Sequence, residues 1–367
     1  MKFSIQREDI LKPLQAISGV VERRQTLPVL SNVLLNIDNS QLHLSGTDLE
    51  VELKIAIGID SPDSGDITLP ARKFLDICKA LPNSAMIEIA IDNEKASLRS
   101  GKSRFTLSTL PASEFPNMES VEGLIEFSIP QFQLKELIDK TQFSMAQQDV
   151  RYYLNGLMLE LNSDCLRSVA TDGHRLALCE LPCHIEIEEP RQIIIPRKGV
   201  AELSRLLDDS DIDAQVRIGK NQIRVVVPDF TFTSKLVDGR FPDYKRVVPQ
   251  NCDKFATVER EVIRQSLTRA SILSNEKYRG IRLELKPGLV KVNANNPELE
   301  EAEEEFEVEY DGPSLEIGFN VNYVLDALNA LTDNTVVLHF TDSNSSCLIT
   351  GNVEGNNCQY VVMPMRL

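Results

Sequence analysis

The residues Ala170-Thr171-Asp172-Gly173-His174-Arg175-Leu176-Ala177, near the middle of the chain, decide the fold prediction. Asp172-Gly173 is a tight-turn dipeptide, because glycine tolerates a positive φ and an aspartate side chain can bond its own backbone. Leucine-rich alternating stretches lie on both sides, at residues 157–161 and 176–181. The pattern predicts two strands that display their polar turn residues at one end.

Counterparts of this unit occur about one third of the chain earlier and later, which is the signature of an internal repeat. A short strand leads into an amphipathic helix at Phe3, Phe127 and Phe255, which lie 124 and 128 residues apart. Two strands around a polar turn follow each time, and then a second helix. The segments predicted as helices are 7–24, 70–81, 131–145, 196–209, 259–276 and 319–333. The predicted fold class is α+β, with three repeated domains (1–123, 124–250 and 251–367), each of two helices against antiparallel sheet.

Composition describes an ordinary globular protein: 367 residues, 42% hydrophobic and 26% charged. No apolar run approaches the roughly 18 residues of a membrane span, and no signal-peptide region precedes the first strand, so a cytoplasmic location is expected. The seven cysteines lack framework spacing, and we expect reduced, mostly buried thiols. Cys179-x3-Cys183-His184 has no second ligand pair, so neither a metal site nor a cofactor is expected.

The net charge of −16 argues, by itself, against binding to nucleic acid. The six predicted helices are nevertheless close to neutral and carry many Lys and Arg residues, whereas the strands and loops are strongly acidic. Such a protein tolerates a polyanion along its helices and repels it elsewhere. The alternative is that these are ordinary solvated helix faces.

An acidic run at residues 298–309 contains eight glutamates. The first repeat offers a basic counterpart that includes Lys102 and Arg104. Opposite patches on the first and last repeats favour a head-to-tail contact between subunits, and the hydrophobic residues Phe105, Ile272 and Leu273 support it. The alternative is a solvated edge strand that charge protects from aggregation.

Together with the three repeats, four further motifs carry a family resemblance: residues 148–156, 237–244, 274–277 and 360–367. With the stretch at 170–177, they resemble the bacterial DNA sliding clamp, the beta subunit of the replicative DNA polymerase III, along the whole chain. The resemblance implies a ring-forming homodimer with six-fold pseudo-symmetry, with helices lining the hole and sheets outside. Such a ring encircles double-stranded DNA without sequence specificity and slides along it.

The resemblance also implies partners and sites. The partners are DNA, a second copy of the chain, the DNA polymerase III catalytic subunit, the clamp loader that opens the ring with ATP, and other DNA polymerases and repair proteins carrying short clamp-binding peptides; no membrane is involved. Predicted DNA-binding residues are Arg24, Arg72, Lys73, Gln148, Tyr152, Tyr153, Arg197, Lys198 and Arg205. The two tyrosines are expected to stack on a base or ribose, unless they pack beneath their loop. Predicted dimer-interface residues are Ile77, Lys102, Arg104, Phe105, Ile272, Leu273, Glu300, Glu301 and Glu304.

A peptide-binding pocket is implied between the second and third domains. Its predicted residues are Leu154, Thr171, Gly173, His174, Arg175, Leu176, Pro242, Arg246, Val247, Ser346, Val361, Val362, Met363, Pro364, Met365 and Arg366. The Leu, Val, Pro and Met side chains suit an apolar groove, and Met363 and Met365 can adapt to different partners. His174, Arg175 and Arg366 are expected to provide polar contacts at its rim.

Two other functions fit parts of the sequence. An acidic scaffold would bind peptides in the groove without encircling DNA. A hydrolase centred on Asp172 and His174 would need a nucleophile or a metal, and Thr171 is the only hydroxyl nearby in sequence. The chain has four histidines and no glycine-rich phosphate loop, so no catalytic residues are predicted.

Overall fold

The computed structural model describes residues 1–21, 27–61, 63–92, 94–118, 125–352 and 357–366. These residues form six α-helices, and each lies in one of the predicted segments: Arg7–Val20 (α1), Ala71–Ala80 (α2), Gln131–Asp139 (α3), Arg197–Leu206 (α4), Arg260–Ser271 (α5) and Val321–Ala330 (α6). The third helix is shorter than predicted. The hydroxyl of the buried Thr141 donates to the carbonyl of Leu137 at 2.7 Å, and a 3-10 turn at Gln142–Ser144 follows.

The strands repeat in one order around these helices: one strand, a helix, four strands, a helix and three strands. In the first repeat they are Lys2–Gln6 (β1), Asn32–Asp38 (β2), Gln41–Thr47 (β3), Val51–Gly58 (β4), Gly65–Pro70 (β5), Met86–Asp92 (β6), Lys95–Ser100 (β7) and Ser103–Ser108 (β8). In the second they are Ile125–Pro130 (β9), Gly156–Leu161 (β10), Cys165–Thr171 (β11), Arg175–Pro182 (β12), Arg191–Pro196 (β13), Asp213–Ile218 (β14), Gln222–Val227 (β15) and Phe230–Lys235 (β16). In the third they are Lys254–Glu259 (β17), Gly280–Lys286 (β18), Leu289–Asn295 (β19), Glu301–Glu307 (β20), Leu315–Asn320 (β21), Thr335–Phe340 (β22), Cys347–Gly351 (β23) and Cys358–Val362 (β24). The threefold α+β repetition is confirmed.

Packing divides the chain into two compact units, residues 1–132 with 201–236 and residues 133–200 with 237–367. The first contains a sheet of order β1-β6-β7-β8 and an eight-stranded sheet of order β5-β2-β3-β4-β16-β15-β14-β9. The second contains a sheet of order β20-β19-β18-β21 and an eight-stranded sheet of order β13-β10-β11-β12-β24-β23-β22-β17. Each eight-stranded sheet therefore joins strands of two consecutive repeats, through the antiparallel pairs β4–β16 and β12–β24.

The helices cover these sheets with apolar faces. In α1 the buried residues are Ile10, Leu14, Ile17 and Val20, which recur at the three- and four-residue steps of one helix face. Burying one such side chain stabilises the fold by about 1.5–3 kcal/mol. The contact with the sheet is close, because a Cβ added at Gly46 in β3 would lie 2.7 Å from Cγ2 of Ile17.

One cysteine pair departs from the expected reduced state. Cys179 and Cys358 lie directly opposite each other on β12 and β24, and the structure joins them in a disulfide. The sequence did not reveal this pair, because its two members are 179 residues apart and meet only when β12 and β24 pair. Cys78, Cys165, Cys183, Cys252 and Cys347 are free thiols.

Candidate functional site

The predicted turn connects β11 to β12. The Thr171 hydroxyl donates to the carbonyl of Arg175 at 2.6 Å and accepts from the N–H of Gly173 at 3.1 Å. The Asp172 carboxylate accepts from the N–H groups of His174 and Arg175 at 2.9 and 3.0 Å. Gly173 has φ +88°, in the left-handed region that glycine adopts without a steric penalty. The turn is therefore fixed by its own side chains and leaves the His174 side chain exposed.

An apolar cluster lies beside this turn. Leu154, Leu176 and Val361 are each 1% exposed and belong to one hydrophobic cluster, and the half-buried Val247 packs against it. Leu176 and Val361 are opposite partners in the β12–β24 pair. The structure thus brings together residues from four separate parts of the predicted pocket.

The C-terminal segment runs along the same cluster. Its backbone is fixed at two points: the N–H of Met363 donates to the His174 carbonyl at 2.9 Å, and the N–H of Met365 donates to the Gly318 carbonyl at 2.8 Å. The predicted residues nearby differ in exposure: Val362 is buried, Ser346, Met363, Pro364 and Met365 are half-buried, and Arg366 is exposed. Pro242 and Arg246 are also exposed, and Arg246 pairs with Asp243 at 2.9 Å. We call this apolar cluster with its polar surroundings the groove.

Arg175 does not lie on the rim as predicted. Its side chain is 13% exposed and is paired with Asp172 and with Asp326 of α6. It also donates to the Phe143 carbonyl at 2.6 Å, and its guanidinium lies 4.6 Å from the ring centroid of Tyr323. Arg175 therefore ties β12 to α6 inside the protein.

A polar network that the sequence analysis missed lies under residues 242–247, the 242–247 segment. Oε2 of Glu160 accepts from the Tyr244 hydroxyl at 2.8 Å, and Oε1 accepts from Arg167 at 2.8 Å. Arg167 also donates to the Tyr244 oxygen at 2.8 Å and is paired with Glu180. The sequence signal was present, since Glu160 interrupts an apolar strand and Arg167 is its partner in the β10–β11 register.

The network keeps Glu160 ionised. Burial by itself raises the pKa of this carboxyl, but hydrogen bonds from Tyr244 and Gln192 and the charge of Arg167 outweigh it and lower the pKa. Burial and the hydrogen bond to Glu160 raise the pKa of the Tyr244 hydroxyl, which stays a donor.

The first repeat contains the same turn in a different setting. The Thr47 hydroxyl donates to the Val51 carbonyl at 2.8 Å, as Thr171 does to that of Arg175. Leu176 is the second residue of β12. The second residue of the corresponding strand β4 is Glu52, which is 1% exposed. The Glu52 carboxylate pairs with Lys54 at 3.0 Å. The first repeat thus places a buried carboxylate, paired with the partly exposed Lys54, where the second repeat has an apolar side chain.

The loop at residues 148–153 carries predicted DNA contacts. Its shape is held by Asp149, which accepts from Nε and Nη2 of Arg151 at 3.0 and 2.8 Å. The hydrogen bond from Arg151 lowers the pKa of Asp149 to about 2. Tyr152 is 57% exposed, whereas Tyr153 packs against the apolar cluster of the groove. Tyr152 is therefore available for stacking, and Tyr153 instead packs beneath the loop.

The predicted basic residues differ in their surroundings. Arg72 and Lys73 are exposed on α2, and Arg205 is exposed on α4, where it pairs with Glu202 at 2.9 Å. Arg197 is half-buried and donates to the Met145 carbonyl at 3.0 Å, and Lys198 is half-buried next to it. Arg24 lies outside the described residues.

The predicted interface residues lie on or near two edge strands. Within the described residues, β8 and β20 each have a hydrogen-bonded neighbour in their sheet on one side only. Lys102 and Arg104 at β8 are exposed, as are Glu300 and Glu301 at β20. Ile272 is 73% exposed, and Ile77, Phe105 and Leu273 are half-buried. Glu304 is already paired with Arg269 of the same chain at 2.6 Å.

Neither a metal centre nor a membrane helix is found in the part of the chain that the structure describes. No group of three His, Cys, Asp or Glu residues there is arranged to hold a metal ion. No helix there is long and apolar enough to cross a membrane.

Comparisons with known proteins cover the whole chain. Family models for the DNA polymerase III beta subunit match residues 1–119 (N-terminal domain), 128–243 (central domain) and 245–366 (C-terminal domain). Beta sliding clamps of Pseudomonas aeruginosa and Escherichia coli K12 are 56% and 52% identical over 368 residues, which is all of both chains. A solved P. aeruginosa sliding clamp bound to griselimycin is 56% identical with a TM-score of 0.96 over all of both chains. A Caulobacter crescentus clamp is 37% identical with a TM-score of 0.93, over 100% of this chain and 99% of that one.

Proposed function

The chain belongs to the bacterial DNA polymerase III beta subunit family, the sliding clamps, and from this premise we propose how its residues share the work of a clamp. The protein is a processivity factor of the replicative DNA polymerase and not an enzyme. It binds DNA, a second copy of itself, the polymerase, the clamp loader and other proteins that carry clamp-binding peptides. We place its work in the cytoplasm, in keeping with its bacterial relatives.

The observation that supports a closed ring is the order of the strands in the two eight-stranded sheets. The fourth strand of the first repeat, β4, pairs with the last strand of the second repeat, β16, and β12 pairs in the same way with β24. Applied once more, this rule pairs β20, the fourth strand of the third repeat, with the last strand of a first repeat, β8. Both strands have an open edge within the described residues, so a second copy can supply the partner. Two such contacts close two chains into a ring of six repeats.

Charge and shape support this contact. In the proposed contact, the exposed acids Glu300 and Glu301 at β20 of one copy meet the exposed bases Lys102 and Arg104 at β8 of the other. Ile272, 73% exposed, supplies the apolar surface that a stable interface needs at its centre. We assign Glu304 a supporting role, because its pairing with Arg269 fixes α5 against β20.

For DNA we propose loose, sequence-independent attraction. Arg72, Lys73, Lys198 and Arg205, with Arg197 and Arg24, provide the positive side chains, and the net charge of −16 repels DNA from other surfaces. Tyr152 and Gln148 add contacts from the exposed loop. Retention then depends on closure of the ring and not on affinity, which lets the protein slide.

For protein partners we propose the groove. Its floor of Leu154, Leu176 and Val361 receives apolar side chains of a short peptide, while His174, Arg246 and Arg366 orient the peptide at the rim. The half-buried Met363 and Met365 can change rotamer, which allows one groove to accept several partners.

The test of closure uses DNA without free ends. The protein is loaded by a clamp loader onto a nicked circular duplex and isolated with it by gel filtration, and the circle is then cut once. We expect stable retention on the circle and rapid loss after cutting. Equal loss from both forms would support the acidic scaffold, which binds peptides but encircles nothing.

A further inference from the structure

We propose that Tyr244 is a positioning residue for the groove: its hydroxyl, held by Glu160 and Arg167, fixes the 242–247 segment as one wall of the binding site. The inference rests on the proposed role of the groove. Tyr244 itself is 3% exposed and is not offered as a contact for the bound peptide. It acts through Pro242, Arg246 and Val247, which the segment presents to the groove.

Besides Tyr244, the 242–247 segment is held by the pairing of Lys245 with Glu160 at 3.7 Å and by the packing of Val247 against the apolar cluster. It connects the second repeat to the third, and the described structure gives it one 3-10 turn, Tyr244–Arg246, and no strand. The N–H groups of Val247 and Val248 both donate to the carbonyl of Tyr244, at 2.9 and 3.3 Å. The position of Tyr244 therefore sets the position of Val247, the residue that packs against the apolar cluster.

The side of the segment that faces Arg167 is not closely packed. A cavity of about 260 Å³ lies between Arg167, Glu180, Tyr244 and Val248. A second cavity, of about 410 Å³, lies beside Glu160 and Arg167. Tyr244 and Val248 pack into the apolar cluster on the other side, so on the side of these cavities the hydrogen bonds of Tyr244 are what fix the segment.

Those hydrogen bonds are of the strong kind. The acceptor is an ionised carboxylate, and charge-assisted hydrogen bonds are shorter and stronger than neutral ones. Glu160 is itself fixed by Arg167 at 2.8 Å and by Gln192 at 2.9 Å, and it is 4% exposed. The tyrosine is thus attached to β10, which begins just after Leu154, and to β11, which ends at Thr171 beside the groove.

We take griselimycin, to which one solved P. aeruginosa clamp is bound, as the probe of the groove and measure its binding to the full chain by surface plasmon resonance. In Tyr244→Phe we expect the Kd to rise about fivefold, mainly through faster dissociation, because the wall must be ordered at each binding event. The matched control is Tyr310→Phe, which removes another buried tyrosine hydroxyl, one that donates to the Pro313 carbonyl at 2.6 Å. We expect its Kd to stay within about twofold of the original chain.

Two further readouts separate positioning from a general loss of stability. The effects of Tyr244→Phe and Glu160→Ala on Kd are expected not to add, because both remove the same hydrogen bond. Exchange of the Val247 and Val248 amide hydrogens is expected to be faster in Tyr244→Phe. Additive effects, or unchanged exchange together with unchanged Kd, would overturn the proposal.

A third variant distinguishes a failure of the role proposed for Tyr244 from a failure of the groove assignment. Leu176→Asp places a charge on the apolar floor and is expected to abolish griselimycin binding. If Leu176→Asp binds like the original chain, the groove assignment fails and the inference fails with it. If Leu176→Asp keeps the circular dichroism spectrum of the original chain and loses binding while Tyr244→Phe does not, the groove stands and the role of Tyr244 is wrong.

Discussion

At the scale of single residues, the prediction from sequence and the structure differ most at charged side chains inside the protein. Arg175 was expected at the rim of the groove, because the family resemblance places it in the pocket and a guanidinium there can orient a bound peptide. Instead, Asp172, Asp326 and the Phe143 carbonyl satisfy its guanidinium inside the second unit. Asp326 is 151 residues away, so no local pattern shows the pairing. The apolar members of the groove were named from the family resemblance; their burial in one cluster agrees with the chemistry of Leu and Val, and their role in peptide binding stays a prediction.

The Glu160 network predicts a pH dependence of stability. The pKa of Glu160 is lower in the folded than in the unfolded chain, so its contribution is present above the unfolded pKa, about 4.3, and is lost as the pH falls through the folded pKa. Glu160→Gln is expected to lower the free energy of unfolding by about 1–3 kcal/mol at pH 7 and by less at pH 3.5, which lies below the unfolded pKa. Urea unfolding at the two pH values measures this.

Glu298→Gln provides the control for that measurement, because Glu298 is an exposed acid for which the structure gives no such network. We expect its unfolding free energy to follow that of the original chain at both pH values. A Glu160→Gln variant with the same deficit at pH 3.5 as at pH 7 would contradict the assignment.

At the scale of elements, all six helices could be predicted from their apolar spacing, but their ends could not. The third predicted helix extended to residue 145, and the structure ends it at Asp139, because the hydroxyl of Thr141 binds the helix backbone. The first was expected to reach residue 24 and ends at Val20, before residues that lie outside the described part. Helix ends depend on individual hydrogen bonds, which periodicity does not report.

The contact between β10 and β13 gives a prediction for the strand beside the groove. A Cβ added at Gly156 would lie 2.5 Å from the carbonyl oxygen of Ile195, and backbone atoms there cannot move aside cheaply. Gly156→Ala is expected to lower the free energy of unfolding by about 1–3 kcal/mol. Chemical denaturation measures the change.

The matched substitution is Gly58→Ala at the end of β4, where an added Cβ has no atom within 4 Å. We expect a change within about 0.5 kcal/mol, as for most surface sites. Equal effects of the two substitutions would show that the close approach at Gly156 does not determine stability.

At the scale of the whole molecule, the three repeats were predictable and the pairing between them was not. Repeats reveal themselves by constant spacing, whereas β4–β16 and β12–β24 connect strands separated by more than 170 residues. The disulfide between Cys179 and Cys358 belongs to one of these pairs and was missed for the same reason. The domain boundary at 123/124 falls outside the described residues, and the one at 250/251 remains a prediction.

The proposed contact between β8 and β20 gives a prediction for assembly. Ile272→Asp places a charge in the apolar part of that contact, and we expect the protein to elute as a monomer at micromolar concentration. Gel filtration with light scattering gives the mass. Retention on circular DNA should be lost in the same variant, because a single chain does not close a ring.

The control is Ile212→Asp, the same change at another exposed isoleucine, which lies before β14 and outside the predicted interface. This variant is expected to remain a dimer and to be retained on circular DNA. A dimeric Ile272→Asp variant would show that Ile272, the residue after α5, is not part of the interface.

The two eight-stranded sheets have a consequence for how such a ring opens. In β4–β16 and β12–β24 both strands belong to one polypeptide, so tethering keeps their effective concentration high however dilute the protein becomes. A β8–β20 seam joins separate polypeptides and therefore follows mass action. Dilution, or a clamp loader that pulls on the ring, is consequently expected to separate the β8–β20 contact between chains first. Each chain then leaves the DNA with its β4–β16 and β12–β24 pairs intact.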